Sequence, residues 1–389
     1  MATTVVTGVQ YSGIWTMQQV NAAIAAGTWP VPLPALYGWG YNNNGQAGIN
    51  STTATSAPTL VGYSNWSKIS SHGGGLFCMA TKTDGTLWSW GANGSGQLGL
   101  GNTTYRSSPT QVGSLTSWLK ISAGYAHSLS VKTDGSLWVW GRNNIGQLGL
   151  GNTTNYSSPK QLGALTNWYD VSAGYYFSLA IKTDGTLWSW GYNAVGSLGL
   201  GNTTYYSSPK QIGALTTWLK VTAGYASSYA LKTDGTLWAW GKNSDGQLGI
   251  GNTTYYSSPK QVGALTNWLN TSAGTYANRG YVIATKTDGT LWGWGRNQGY
   301  GSLGLGNKTN YSSPKQIGGL TTWLKVSAGY ASSFSIKTDG TLWAWGYGGF
   351  GSLGDGTTVS KSSPVQIGSK TDWVEVAAGN YPGIAIANS

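Results

Sequence analysis

Apolar and polar positions alternate along this chain in short runs that come in pairs. In Tyr229-Ala-Leu-Lys232 and Leu237-Trp-Ala-Trp240 the period is two residues, and Asp234-Gly235 lies between the runs. That period predicts half-buried strands, and Asp-Gly between two such runs is the strongest short-range signal for a hairpin. Upstream, Trp218-Leu-Lys-Val-Thr-Ala-Gly224 reads as a first strand whose small closing residues suit a crowded place near an axis. Each such unit is therefore a small antiparallel sheet.

The unit recurs. The second tryptophan of the Leu-Trp-x-Trp-Gly segment falls at Trp39, Trp90, Trp140, Trp190, Trp240, Trp294 and Trp345, with spacings of 51, 50, 50, 50, 54 and 51 residues. Self-similarity at such a period marks a repeat architecture. Seven small sheets arranged radially make an all-β, seven-bladed propeller over residues 36–389, which leaves only short, protected edges. The chain ends on the first two strands of a unit, Trp373-Val-Glu-Val-Ala-Ala-Gly379 and Gly383-Ile-Ala-Ile-Ala387, and begins on a third, Leu36-Tyr-Gly-Trp-Gly40. Pairing them in one blade closes the ring.

Residues 1–35 lie outside the repeat. Thr16 as N-cap, Gln19 three residues on and Gly27 as a stop predict a short helix over 17–26, with Trp15 and Val20 placed for a hydrophobic staple. Met17, Val20 and Ile24 share one face of it, and Trp29 follows. A helix of about ten residues is not stable alone, so it docks either on the propeller itself or on another protein. Trp15, Met17, Val20, Ile24 and Trp29 are its candidate anchoring residues.

Composition narrows the chemistry. Only 8% of the chain is charged, with 11 acidic residues, 2 histidines and a single cysteine, Cys78. Six of the acids are the hairpin aspartates Asp84, Asp134, Asp184, Asp234, Asp288 and Asp339, which have a turn role. Asp170, Asp245, Asp355, Asp372 and Glu375 remain, and of these Asp372 and Glu375 alone are close in sequence, reading as a solvated turn and strand edge. His72 and His127 have no second ligand at metal spacing, and His127 reads as a structural hydrogen-bonding residue. No enzyme, metal site or cofactor is expected. A net charge of +11 invites nucleic acid as a partner, but lysines repeated blade by blade are spread around the disc, so no specific nucleic-acid site is expected. No run approaches the roughly 20 apolar residues of a bilayer span, and no secretory signal precedes the repeats, so neither membrane insertion nor ordinary secretion is expected.

The ordered series Val-x-Ala-Gly, Asp-Gly, Leu-Trp-x-Trp-Gly and Asn-x-x-Gly-Gln-Leu-Gly resembles the regulator of chromosome condensation repeat, whose family fold is a seven-bladed propeller. The resemblance covers roughly residues 36–389. The family's ultraviolet-sensing branch carries Gly-Trp-Arg-His-Thr where this chain has Gly124-Tyr-Ala-His-Ser and Gly224-Tyr-Ala-Ser-Ser, so that activity is not expected, and nor is nucleotide exchange on a small GTPase.

Binding is what remains. The first-to-second strand turns and the long third-to-fourth strand loops should open on one face, and both are rich in tyrosine. Tyr125, Tyr175, Tyr225 and Tyr330 follow Ala-Gly, while Tyr156, Tyr206, Tyr256 and Tyr311 follow the Gly-Asn loops. Tyrosine supplies rigid, amphipathic contact area at low entropy cost. The unit over residues 267–305 adds Arg279 and Tyr300 in insertions that break the repeat. Residues 11–30 resemble a short segment of tailed-bacteriophage structural proteins, which implies a virion protein, part of a tail fibre, tail tip or capsid decoration. It would be held to other virion proteins by its N-terminal segment, as a homo-oligomer on the particle, and would show the propeller to a host-surface glycan or protein. The alternative is a cellular protein-binding propeller of the same repeat family, inhibitor-like or scaffold, with guanine-nucleotide exchange or chromatin binding ranked behind these.

Overall fold

The computed structural model describes Gln18, residues 33–276 and residues 279–388. Seven four-stranded antiparallel sheets follow one another round a ring. Blade 1 is built from Trp66–Ser71, Phe77–Lys82, Leu87–Gly91 and Arg106–Gln111. Blades 2 to 6 begin at Trp118, Trp168, Trp218, Trp268 and Trp323 and repeat that pattern. Blade 7 joins the chain ends, with Trp373–Ala378 and Pro382–Ala387 beside Ala35–Gly40 and Thr55–Tyr63. Ala35 pairs with Ala387 and Gly40 with Pro382, which is the closure expected from the terminal half-units.

Each hairpin is made by its own residues. Asp234 Oδ1 accepts the Thr236 amide at 2.9 Å and its hydroxyl at 2.6 Å, and Thr236 Oγ1 in turn accepts the Trp238 indole N–H at 3.0 Å. The Lys232 ammonium lies 4.0 Å from the Trp238 ring centroid. The lysine before each hairpin is thus chiefly an aromatic partner, which explains why Lys-Thr-Asp-Gly-Thr-Leu-Trp recurs as a block.

The core lies between blades. The second tryptophan of every unit is fully buried, and its indole N–H donates to a carbonyl of the preceding blade: Trp140 to Gln97 at 2.8 Å, Trp190 to Gln147 and Trp240 to Ser197 at 2.9 Å. Close approach of that indole explains the Leu-Gly step before it in space. A Cβ on Gly199, which holds φ +74°, would sit 2.7 Å from the Trp240 Nε1. The Gly-Gln-Leu-Gly stretches are therefore turns that admit the neighbouring blade's tryptophan.

First strands line the axis, and in blades 1 to 6 a Ser or Thr hydroxyl on the first strand reaches the next blade, while blade 7 has Ala377 there. The Ala123 amide donates to Ser70 Oγ, Ala173 to Ser122, Ala223 to Ser172, Ala328 to Ser272 and Ala378 to Ser327, each at 2.9 Å. Small residues are needed here because seven strands converge.

Candidate functional site

The two ends of the axial channel differ. At the end where first strands finish, the turns after Ala-Gly are tied blade to blade by backbone bonds, Tyr125 N–H to Gly174 O at 3.2 Å, Tyr175 to Gly224 at 3.3 Å and Tyr330 to Gly379 at 3.1 Å. Thr275 takes the tyrosine's place in blade 5, donating to Gly329 at 2.9 Å, and Asn380 does so in blade 7. The Tyr192 amide, just past the third strand, donates to the Tyr176 carbonyl at 3.0 Å. First turns and the start of the third-to-fourth loops therefore share one face, as the repeat grammar predicts.

Aromatic rings gather on that face in two groups. Tyr175 stacks on Tyr125 at 4.0 Å, meets Tyr176 edge-on at 4.5 Å and leans on Tyr225 at 4.6 Å. Burial and the hydrogen bond its hydroxyl makes to Tyr125 push the Tyr175 phenol up, so this group stays neutral. Arg142 lies over Tyr176 at 5.0 Å and Lys242 over Tyr225 at 5.4 Å. The second group joins Tyr330 to Tyr381 at 4.6 Å, Tyr381 to Tyr347 at 5.1 Å and Tyr347 to Tyr300 at 4.6 Å, with Tyr41 against Phe350 at 5.1 Å. Ala331, Phe350 and Tyr381 here hold φ of 59°, 59° and 71°. Left-handed backbone at non-glycine residues costs roughly 1–3 kcal/mol each and clusters at binding sites.

The sequence candidates divide. Tyr125, Tyr175, Tyr225 and Tyr330 all stand at this mouth. Tyr156, Tyr206, Tyr256 and Tyr311 do not: each begins an outer strand and packs on the inter-blade core. Asn152, Asn202, Asn252 and Asn307 donate to their hydroxyls at 3.2–3.4 Å. Half-buried and held by a neighbour, these four serve the rim; the exposed rings there are Tyr105, Tyr205 and Tyr255. Arg279 is spent on Asp245, 3.0 Å away and buried, an ion pair between blades 4 and 5. Tyr300 belongs to the second aromatic group. Tyr176, Tyr41, Tyr347, Tyr381 and Phe350 were missed, although Tyr41 and Tyr347 share the position right after Trp-Gly.

His127 is a structural residue as expected, with Nε2 3.1 Å from Ser178 Oγ. Burial, with the charge of His72 second, lowers it from 6.5 to about 3. His72 sits at the channel, where its Nδ1 accepts the Gly74 amide at 3.0 Å, and burial lowers it to about 4. Among the described residues no three His, Cys, Asp or Glu side chains gather as metal ligands would.

At the opposite end, the residue two places after each first tryptophan forms a ring: Lys68, Lys120, Asp170, Lys220, Asn270, Lys325 and Glu375. Glu375 bridges Lys68 at 2.7 Å and Lys325 at 2.8 Å, joining three blades. This corrects its reading as a strand-edge residue in solvent; Asp372 does remain at an exposed turn, with Lys370 at 3.1 Å. Lys220 reaches Asn270 Oδ1 at 2.9 Å, and Asp170 accepts the Val221 amide at 3.1 Å. Burial raises the Asp170 carboxyl against the pull of Lys120. The candidate anchors Trp15, Met17, Val20, Ile24 and Trp29 lie outside the described residues.

Comparison with known proteins agrees with this architecture. The regulator of chromosome condensation (RCC1) repeat matches residues 84–131, 134–181, 184–231, 234–277, 288–336 and 339–386. Human HERC2, an E3 ubiquitin-protein ligase, is 35% identical over 98 residues, which is 24% of this chain and 2% of that protein. The match thus spans a small fraction of that relative's length. Human WBSCR16 superposes with a TM-score of 0.80 at 23% identity, over 92% of this chain and 99% of that one. Yeast RCC1 (Prp20), solved bound to Kap60, gives 0.80 at 18% identity over 92% and 90%. At such identities the two structures speak to the fold. With six matched repeats covering most of a ring that its own termini close, the chain belongs to the regulator of chromosome condensation (RCC1) repeat family.

Proposed function

We propose that this chain is a non-catalytic binding propeller that takes a protein partner on its aromatic mouth. The observation that carries the reading is the pair of ring clusters around the channel, built on inter-blade bonds and, in blades 6 and 7, on left-handed turns. Rigid tyrosines flanked by Arg142 and Lys242 offer apolar area with cationic edges, a composition suited to protein surfaces. One solved relative adds support: yeast RCC1 (Prp20) was captured with Kap60 and, as Prp20p of Saccharomyces cerevisiae, was described with its binding properties to Gsp1p and histones. The distribution of acids supports a non-catalytic role, since six cap hairpins and Asp170, Asp245 and Glu375 are engaged between blades. The test is a binding profile over protein and glycan arrays for the parent, Tyr175→Ala with Tyr225→Ala, and Leu215→Ala on the opposite face. Loss of signal in the tyrosine variant alone supports the reading; equal profiles for all three overturn it.

The virion reading rests on residues 11–30, which apart from Gln18 lie outside the described residues, and the matched relatives above are cellular proteins that lend it no support. Its own test is whether a chain with Trp15→Ala and Met17→Ala still enters particles made by the host that encodes it.

A further inference from the structure

The face opposite the aromatic mouth carries an apolar crescent. Loops entering blades 2 to 6 present Leu115, Leu165, Leu215, Leu265 and Leu320, each about half exposed. Just inside them, Leu119, Leu219 and Leu324 stand exposed on the first strands. Soluble proteins seldom leave so repeated an apolar surface bare. The crescent is open on one side: the loop position into blade 7 is Lys370, Tyr63 stands before blade 1, and Ser67 replaces the inner leucine.

That gap is where the N-terminal chain leaves the propeller. A third strand starts at this end of its blade, and Ala35 pairs with Ala387, which also faces Trp373. The Pro34 carbonyl accepts the Ser64 amide at 3.1 Å, and Leu33 is exposed beside it. Residues 1–33 contain no Asp, Glu, Lys or Arg, so burying them against leucine strands no side-chain charge. Residues 27–33 can span roughly 23 Å when extended, and blade 6 packs directly against blade 7, from which they leave.

We propose that residues 14–26 of this chain dock with the Met17, Val20 and Ile24 stripe on the leucine crescent over blades 5 and 6, around Leu265, Leu320 and Leu324. Each side lacks something the other supplies: the segment is too short to hold a helix alone, and the crescent is uncovered. This docking is independent of the function proposed for the aromatic mouth. It makes the two faces unlike, with the chain's own N-terminal segment on the leucine side.

Chymotrypsin under native conditions, with the full chain, tests it, because fragment masses separate cuts after Trp15 and Met17 from cuts at exposed loop residues such as Leu115 and Tyr205. In the parent the segment should be protected. Leu320→Glu with Leu324→Glu should speed cleavage there about tenfold, since cleavage tracks the open population, whereas Leu115→Glu across the disc should leave it unchanged. Val20→Asp with Ile24→Asp should raise amide exchange around Leu320 and Leu324, an arm that holds even if the leucine variant misfolds. Cleavage of the parent as fast as of either variant overturns the proposal, as a segment reserved for another protein would give. So does protection that rises with concentration alongside a dimer in sedimentation, which would assign the crescent to a second copy.

Discussion

Tyr175 stacks on Tyr125 across a blade boundary, with ring centroids 4.0 Å apart and planes 22° apart. The two residues are separated by one full repeat, so the contact exists only because neighbouring blades present the same turn side by side. Tyr175 also meets Tyr176 and Tyr225, which makes it the centre of the first aromatic group. Removing it in Tyr175→Ala should cost roughly 2 kcal/mol of stability at about 0.5–1.5 kcal/mol per aromatic pair. Tyr175→Phe keeps the rings and loses only the hydrogen bond to Tyr125, so its urea midpoint should fall by about half as much as the alanine variant's, at about 1 kcal/mol per hydrogen bond. If the mouth binds a partner, the alanine variant also loses that partner.

Acid sensitivity should come from two histidines. Burial holds His72 at about 4 and His127 at about 3 in the folded chain, against 6.5 when unfolded. Below pH 6.5 the unfolded chain binds protons that the folded one refuses, so stability is fully present above that value and falls as pH drops toward 4. By pH 5 each site should have removed on the order of 2 kcal/mol. His127→Phe, the residue found at the equivalent Phe77 and Phe177, should flatten the profile measured by denaturant titration between pH 7 and about 4.

Gly199→Ala tests the inter-blade tryptophan. The new Cβ would meet the Trp240 indole nitrogen at 2.7 Å in a backbone of φ +74°. Strain of both kinds should destabilise by about 2 kcal/mol or more. A thermal midpoint unchanged from the parent would show that the indole moves aside freely.

Glu375 joins the first, sixth and seventh blades through Lys68 and Lys325. Glu375→Gln leaves two lysines facing each other without their shared anion. The loss should be modest, about 1 kcal/mol, because both lysines remain partly exposed. It should shrink at high salt, where screening weakens the parent's own bridges. Urea unfolding at low and high salt measures both effects.

Much of this fold was legible because its determinants are local. Asp-Gly between two alternating runs makes a hairpin wherever it stands, and Asp234 with Thr236 and Trp238 completes one within five residues. The blade number and the terminal half-units were likewise written in the spacing of Trp39 to Trp345. Functional placement was not local. Tyr206 and Tyr225 look alike in sequence, yet one is held on the rim by Asn202 and the other joins the channel mouth. Glu375 reads as a strand-edge acid until ring closure brings Lys68, 307 positions away, within 2.7 Å. Arg279 reads as an exposed contact until blade 4 supplies Asp245. The sequence by itself determined the seven sheets and their closure, through hydrogen bonds and alternation among near neighbours. Tertiary structure decided which side chains act together, because each blade contributes one residue per level and only the closed ring sets those residues side by side.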